Sequence, residues 1–192
     1  MTLHKLRELR QFWRDDRGLA VMEFAFALPV LVTILLGCFD AARFVLINQK
    51  MSRVASQSAD LVAQLDVVTE AEIDDLFIAA ESTAEPFPLD TEGKVVISSI
   101  FRPYSPADAV PSIVWQRETA LGLLATSHLG PEGQSSPTLP EGFSLRNGEN
   151  VIVAEVFFDY QPVFFGTVFP ERVIYHTSYN RPRLVNLNAI SP

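Results

Sequence analysis

The sequence has few of the side chains on which disulfides, metal sites and covalent catalysis depend. Its 192 residues include one cysteine, Cys38, so no intrachain disulfide can form. The three histidines, His4, His128 and His176, lie far apart, and none has a second ligand at a metal-binding spacing. No glycine-rich phosphate loop follows a strand pattern, and no Gly-x-Ser-x-Gly motif occurs. These absences predict a protein that is not an enzyme and needs no cofactor or metal.

Clustered carboxylates, another source of catalytic or metal chemistry, have simpler explanations here. Four acids lie in the first turns of a predicted helix, where the helix dipole favours negative charge; they are Glu70, Glu72, Asp74 and Asp75. Glu155 and Asp159 belong to a predicted strand, and we expect both to be ordinary surface residues.

Positive charge is scarce beyond the first residues. The formal net charge is −8, yet residues 1–18 carry five basic and three acidic side chains, so the rest of the chain sums to −10. An acidic body argues against nucleic-acid binding, which requires clustered lysine and arginine. A basic leader ahead of an apolar segment favours a cytoplasmic N-terminus and a body on the other side of the membrane.

Residues 19–39 are almost without charge. As a helix these 21 residues would span about 31 Å, which matches the hydrocarbon core of a bilayer. Pro29 lies in the middle, where it removes one backbone hydrogen bond and predicts a helix kink. We therefore predict a single transmembrane helix.

Glu23 is the single carboxylate of this segment. A carboxylate deep in a membrane costs roughly 2.5–3.5 kcal/mol on insertion scales, so a compensating positive charge is expected nearby. The simplest source is an amino terminus created by cutting after Gly18. That amine would lie on Leu19, within about a helical turn of Glu23 on the same helix or a neighbouring one.

The order of these residues resembles the prepilin peptidase site of type IV pilins. In that pattern glycine precedes the cut, glutamate is the fifth mature residue and an aromatic residue follows, as Gly18, Glu23 and Phe24 do here. More closely, the stretch that begins at Arg17 is similar to the TadE/TadF family of minor pseudopilins of tight-adherence (Flp) pilus systems. Met22 departs from the valine of many relatives, but both side chains are apolar.

This resemblance implies a pilus assembly protein of the bacterial inner membrane with a periplasmic C-terminal domain. Its implied partners are a prepilin peptidase, other pilins and pseudopilins, and Tad inner-membrane assembly proteins, in a process that serves adhesion and surface attachment. It implies that Arg17, Glu23 and Phe24 act in recognition and assembly, and that the helix loosens near Pro29. TadF and part of TadG share the opening motif, but the length and the ending at residues 179–184 favour TadE.

Two alternatives remain open for the membrane segment. Residues 35–38, Leu-Leu-Gly-Cys, resemble a bacterial lipobox in which Cys38 would be lipidated, although the leader is long and Glu23 interrupts the apolar stretch. The chain could instead be an uncut single-pass anchor that displays a periplasmic binding module. In that case a long loop at residues 130–150 would be the contact surface.

Beyond residue 39 the apolar pattern narrows to one helical face. Apolar or small residues follow one another at spacings of three and four and predict an amphipathic continuation over residues 40–68; they are Ile47, Met51, Val54, Ser58, Leu61 and Leu65. Neither glycine nor proline interrupts residues 39–66. We therefore predict one helix from about residue 19 to about residue 65. A coiled-coil dimer could also explain the pattern, but so few heptads favour it only weakly.

Residues 69–192 are predicted to form an α+β domain. Thr69 and Glu72 make a capping box that begins a second helix. Strand patterns follow at residues 94–102, 112–117, 151–160 and 172–179, and the third is apolar enough to be central. The predicted fold is α+β, with a long N-terminal transmembrane-plus-amphipathic helix packed on a small antiparallel sheet, as in pilins.

The last predicted strand and the residues just after it include several aromatic and basic side chains. They either form a contact patch or protect an edge strand by charge and proline; they are Tyr175, Tyr179, Arg181 and Arg183.

Overall fold

The computed structural model describes residues 17–106 and 108–191. The predicted basic leader, residues 1–18, lies outside the described residues except for its last two positions, and so does the side chain of Arg17. The described residues form three helices and four strands, and the fold is α+β as the sequence predicts.

The first helix, α1, extends without interruption from Arg17 to Gln64. Its 48 residues correspond to a length of about 70 Å. Pro29 lies inside it, and the Thr33 hydroxyl donates a hydrogen bond of 2.8 Å to the Pro29 carbonyl oxygen. Between residues 18 and 39 no side chain is buried, whereas the half of α1 that begins at Asp40 packs on the rest of the molecule. A single helix therefore has an apolar first half without buried side chains and a second half that packs on the domain.

The packed half of α1 buries a broader face than the sequence pattern predicts. Ile47, Met51, Val54 and Ser58 are buried, as predicted. Leu61, however, is 44% exposed, and its predicted place in the core is taken by Val62. The reason is that two neighbours flank this half, the sheet and the second helix, and together they bury a wider stripe that includes several alanines.

The second helix, α2 (Glu70–Ala84), begins at the predicted capping box. The Glu72 amide donates to the Thr69 Oγ1 at 3.2 Å, and the Thr69 amide donates to a Glu72 carboxylate oxygen at 2.9 Å. Ile73, Leu76 and Ala80 face the core because they recur at helical spacing. A one-turn helix, α3 (Leu89–Glu92), follows and was not predicted.

Four antiparallel strands form one sheet in the order β2-β1-β3-β4. Their bounds are Gly93–Phe101 for β1, Ser112–Glu118 for β2, Asn150–Tyr160 for β3 and Arg172–Asn180 for β4. All four lie within two residues of the strands that the sequence predicts, and β3 is central. In the register Ala154 of β3 pairs with Ile97 of β1 and with Ser178 of β4.

The sheet is covered on both faces. One face packs on α1 and α2 around Ile97, Val156 and Phe158. The other is covered by the segment from Leu129 to Leu145, whose two end residues are buried beside the sheet. The predicted loop at residues 130–150 thus has neither helix nor strand before residue 150, but it acts as a cover for the sheet rather than a free arm.

Candidate functional site

The residues of the predicted processing site occupy the exposed start of α1. A Cβ added at Gly18 would meet no atom within 4 Å. Glycine in a helix is less favourable than alanine by about 1 kcal/mol. Packing in the described part of the chain therefore gives no reason for glycine at this position, and a requirement for it would come from another molecule. Leu19, on the other side of the predicted cut, is exposed.

Glu23 lies five residues beyond Gly18 on the same exposed half of the helix. Its side chain is exposed, and it has no hydrogen-bond or ion-pair partner among the residues that the structure describes. The neighbouring Phe24 is exposed as well. An isolated carboxylate on an apolar helix is unfavourable in a membrane unless a cation joins it. Glu23 is thus available to a partner outside the chain.

The whole first half of α1 has the character of a membrane segment. It belongs to the one helix, in the described part of the chain, that is long and apolar enough to cross a membrane, with a mean hydropathy of 2.4 in its most apolar window and none of that window buried. Cys38 is exposed on this half. Only a bilayer or another protein could bury it.

Asp40 marks the point where the apolar first half of α1 ends. Its side chain is buried, and its carboxylate accepts hydrogen bonds from the backbone amides of Val163 at 3.0 Å, Phe164 at 3.0 Å and Phe165 at 2.8 Å. Burial alone would raise the pKa of Asp40, but the three amides and the nearby Arg43 lower it below its usual value. The carboxylate therefore joins α1 to the loop between β3 and β4.

A second buried carboxylate corrects an expectation from the sequence. Glu155 is not a surface residue: it is fully buried on the sheet face that α1 does not cover. It accepts hydrogen bonds from the Ser127 hydroxyl, the His128 amide and the Tyr175 hydroxyl. Burial, and then the Glu155 carboxylate, raise the pKa of Tyr175, so the phenol stays protonated and donates. These bonds satisfy the carboxylate and hold the covering segment on the sheet.

The aromatic and basic residues at the end of β4 contact residues of the same chain. Tyr179 packs on Phe143, and Arg183 pairs with Asp60 of α1. Arg181 lies 3.5 Å from a Glu149 carboxylate oxygen. β4 lies at an edge of the sheet, so these residues are placed where charge and proline could protect an edge strand, one of the two alternatives given above.

The described residues contain no group of three histidine, cysteine, aspartate or glutamate side chains that could hold a metal ion. His128 packs against the rings of Phe157 and Tyr175. The Nε2 atom of His176 lies 3.3 Å from Asn48 Oδ1, and burial lowers the pKa of this histidine. Both histidines are part of the packed domain.

The comparisons with known proteins concern the first part of the chain. No curated protein and no solved structure matches the chain. The family model described as TadE-like protein matches residues 18–60, which comprise the apolar half of α1 and most of its packed half. Over these residues the match confirms the resemblance predicted from the sequence, so this segment of the chain is similar to TadE-like proteins.

Proposed function

We propose that this protein is a minor pseudopilin that a prepilin peptidase cuts after Gly18 and that takes part in the biogenesis of a Flp/Tad pilus. The leader would face the cytoplasm, α1 would span the inner membrane, and the α+β domain would lie in the periplasm. The acidic domain after a basic leader supports this orientation. Its role would be assembly in a structure for adhesion, not catalysis.

The observation that carries this proposal is the exposed Glu23 on an otherwise apolar half-helix. In a bundle of such helices, Glu23 would accept the Leu19 amine of the adjacent subunit. Both charges would be removed from water, so an unpaired arrangement would be strongly disfavoured. The pairing would offset neighbouring helices along their axis by four residues, which is about 6 Å.

The open space around Gly18 supports the processing step. Since nothing in the described chain requires glycine there, a requirement for it would be set by the enzyme that reads the residue before the cut. Arg17 and Phe24 would contribute to this recognition, and a loosened turn near Pro29 would help α1 leave the bilayer during assembly. These roles come from the family resemblance.

The decisive test is the N-terminal mass of the protein extracted from membranes of its host with and without the prepilin peptidase. We expect a chain that starts at Leu19 only when the peptidase is present. Gly18→Ala should abolish the mature form and leave the membrane level of the protein unchanged, because no packing is lost. Val21→Ala is a matched control that keeps the glycine.

Two other results would overturn the proposal. The same uncut start in both strains would favour an anchored binding module. A diacylglyceryl mass on Cys38 would mean that the segment is a lipoprotein signal. In the structure, the loop suggested as a contact surface for such a module is attached to the sheet at Leu145, and most of its other side chains are exposed.

A further inference from the structure

The loop between β3 and β4, residues 161–171, is unusually apolar for an exposed segment. Its sequence is Gln-Pro-Val-Phe-Phe-Gly-Thr-Val-Phe-Pro-Glu, with a single charged side chain at its last position. Val163 is 53% exposed, Phe164 50% and Val168 66%. Contiguous exposed apolar side chains on a protein surface indicate a site of interaction. We refer to residues 161–171 as the apolar loop.

The apolar loop is held at the end of the membrane-spanning half of α1. The three amides that Asp40 accepts come from its residues, and Asp40 is the first residue after the apolar run. A guanidinium nitrogen of Arg43 adds a bond of 2.6 Å to the Gln161 carbonyl oxygen. The position of the loop along the helix axis is therefore determined by α1 itself.

The rings of the apolar loop reach back beside the last turn of the predicted span. Phe164 packs edge-to-face on Phe39, with ring centroids 5.7 Å apart. A Cβ at Gly37 would lie 4.0 Å from a ring carbon of Phe165. Phe39 and Gly37 belong to the apolar run, so the loop lies level with helix residues that are expected at the membrane boundary.

Charged residues lie on the domain side of the same loop. The Arg172 guanidinium lies over the ring of Phe44, 4.6 Å from its centroid, and Arg43 lies near Phe87. The apolar side chains of the loop would meet the acyl chains, and the basic side chains on its domain side would meet the phosphates, which is the order of these layers at a bilayer surface. Phenylalanine and valine at this level would replace contacts with water by contacts with lipid.

We propose that the apolar loop inserts the side chains of Val163, Phe164 and Val168 into the interfacial region of the bilayer and thereby seats the domain on the membrane. The surface is occupied by lipid of the same membrane that α1 spans, because the loop packs directly beside the end of the membrane-spanning segment. The proposal requires that α1 spans the membrane and is independent of any cut after Gly18.

The test uses the full chain reconstituted in vesicles of phosphatidylethanolamine and phosphatidylglycerol. Cys38→Ala removes the native thiol, and Thr167→Cys places a nitroxide label in the loop while the three apolar side chains remain. The accessibility of the label to oxygen, which partitions into lipid, is compared with that to a water-soluble nickel complex. We expect a several-fold higher oxygen-to-nickel ratio than at a control label, Leu184→Cys.

Leu184 is a suitable control because it is 66% exposed and lies near the far end of the domain. Its neighbour Arg183 pairs with Asp60, twenty residues along α1 from Asp40, which corresponds to about 30 Å. The proposal further predicts that replacing Val163, Phe164 and Val168 by serine returns the Thr167→Cys label to the water-like ratio, with an unchanged circular dichroism spectrum.

Two results would overturn the proposal. One is a water-like ratio at Thr167→Cys in the presence of the three apolar side chains. The other is spin–spin broadening at this label without a lipid-like ratio, which would mean that a second copy of the chain covers the loop. Neither result would affect the N-terminal mass test, so a failure here and a failure of the processing step can be told apart.

Discussion

At the scale of single residues, Asp40 shows how a buried charge can be part of a stable junction. A buried carboxylate is unfavourable unless hydrogen bonds replace its water. Here three consecutive backbone amides of the apolar loop do so, and Arg43 is the nearby cation. An asparagine could not accept all three amides with equal strength, because it has one carbonyl oxygen and no charge.

The lowered pKa of Asp40 gives a prediction about pH. The folded state binds this proton less readily than the unfolded state, whose aspartate pKa is about 3.9. The carboxylate therefore contributes stability above about pH 4, and that contribution is lost as the pH falls through the lower folded pKa. We expect Asp40→Asn to lower the melting temperature of the full chain in detergent by a few degrees at pH 7.

The difference between Asp40→Asn and the wild type should shrink as the pH falls from 5 to about 2. Comparison of the two proteins at each pH cancels the effect that titration of the other carboxylates has on stability. These include Glu70, whose pKa is lowered by its bond to Arg117. A difference that stays constant down to the lowest pH would mean that the charge of Asp40 does not contribute.

Glu23 gives the residue-scale prediction for assembly. We expect Glu23→Ala to be cut normally but to be absent from sheared pili, because the Leu19 amine of a neighbour would have no carboxylate to meet. N-terminal mass reports the cut, and the amount of protein in the pilus fraction reports incorporation. Leu35→Ala, an exposed apolar position of the same half-helix, is the control. Normal incorporation of Glu23→Ala would exclude the pairing mechanism.

At the scale of elements, α2 depends on its first turn. The reciprocal bonds of Thr69 and Glu72 satisfy backbone amides that the helix itself cannot. We expect Thr69→Ala to lower the free energy of unfolding by about 1 kcal/mol, the usual loss of an N-cap side chain. Urea unfolding in detergent, followed by circular dichroism, measures the change.

A surface threonine provides the matched control for the cap. Thr126 is exposed, and Thr126→Ala should change the free energy of unfolding by no more than about 0.5 kcal/mol. Equal losses in the two variants would show that the cap contributes nothing beyond the substitution itself.

The elements were also the level at which sequence patterns were most informative. The capping box and the four strands depend on residues close together in the chain, and the structure confirms them. The predicted burial of Leu61 was wrong, because the sequence pattern assumed a single packing partner for α1. The short α3 carries no side-chain cap and too few residues for a periodic signal, so it could not be predicted.

At the scale of the whole molecule, one core joins the packed half of α1, α2 and one face of the sheet. Phe158 of β3 is fully buried in this core, and its ring meets that of Phe87 at 6.2 Å. We expect Phe158→Ala to lower the free energy of unfolding by about 3–5 kcal/mol. Because the core is shared, helix and sheet should unfold together.

Two probes test this shared unfolding in the same urea titration. Far-ultraviolet circular dichroism reports mainly α1, and fluorescence in a Trp13→Phe background reports Trp115, which is buried in the sheet. Their midpoints should coincide and shift together in Phe158→Ala. Val185 is exposed, and Val185→Ala should change the free energy of unfolding measured by either probe by no more than about 0.5 kcal/mol. Separate midpoints would mean that the packed half of α1 is not part of one cooperative unit.

The sequence by itself determined the features that depend on local periodicity and composition. An apolar run as long as a bilayer is thick, a Gly18–Glu23 spacing, a capping box and four strand patterns can each be recognised within a short window. They were sufficient to predict the membrane segment, the α+β class and the TadE-like resemblance that the match over residues 18–60 confirms.

Only the tertiary structure decided which distant residues meet. Asp40 and the apolar loop are more than 120 positions apart, and Glu155 of β3 lies 28 positions from Ser127, which belongs to the segment between β2 and β3. A carboxylate on a strand has the same local pattern whether water or amide groups surround it. Its burial is decided by the segment that folds over it, and this is why Glu155 was mistaken for a surface residue and the role of Asp40 was not foreseen.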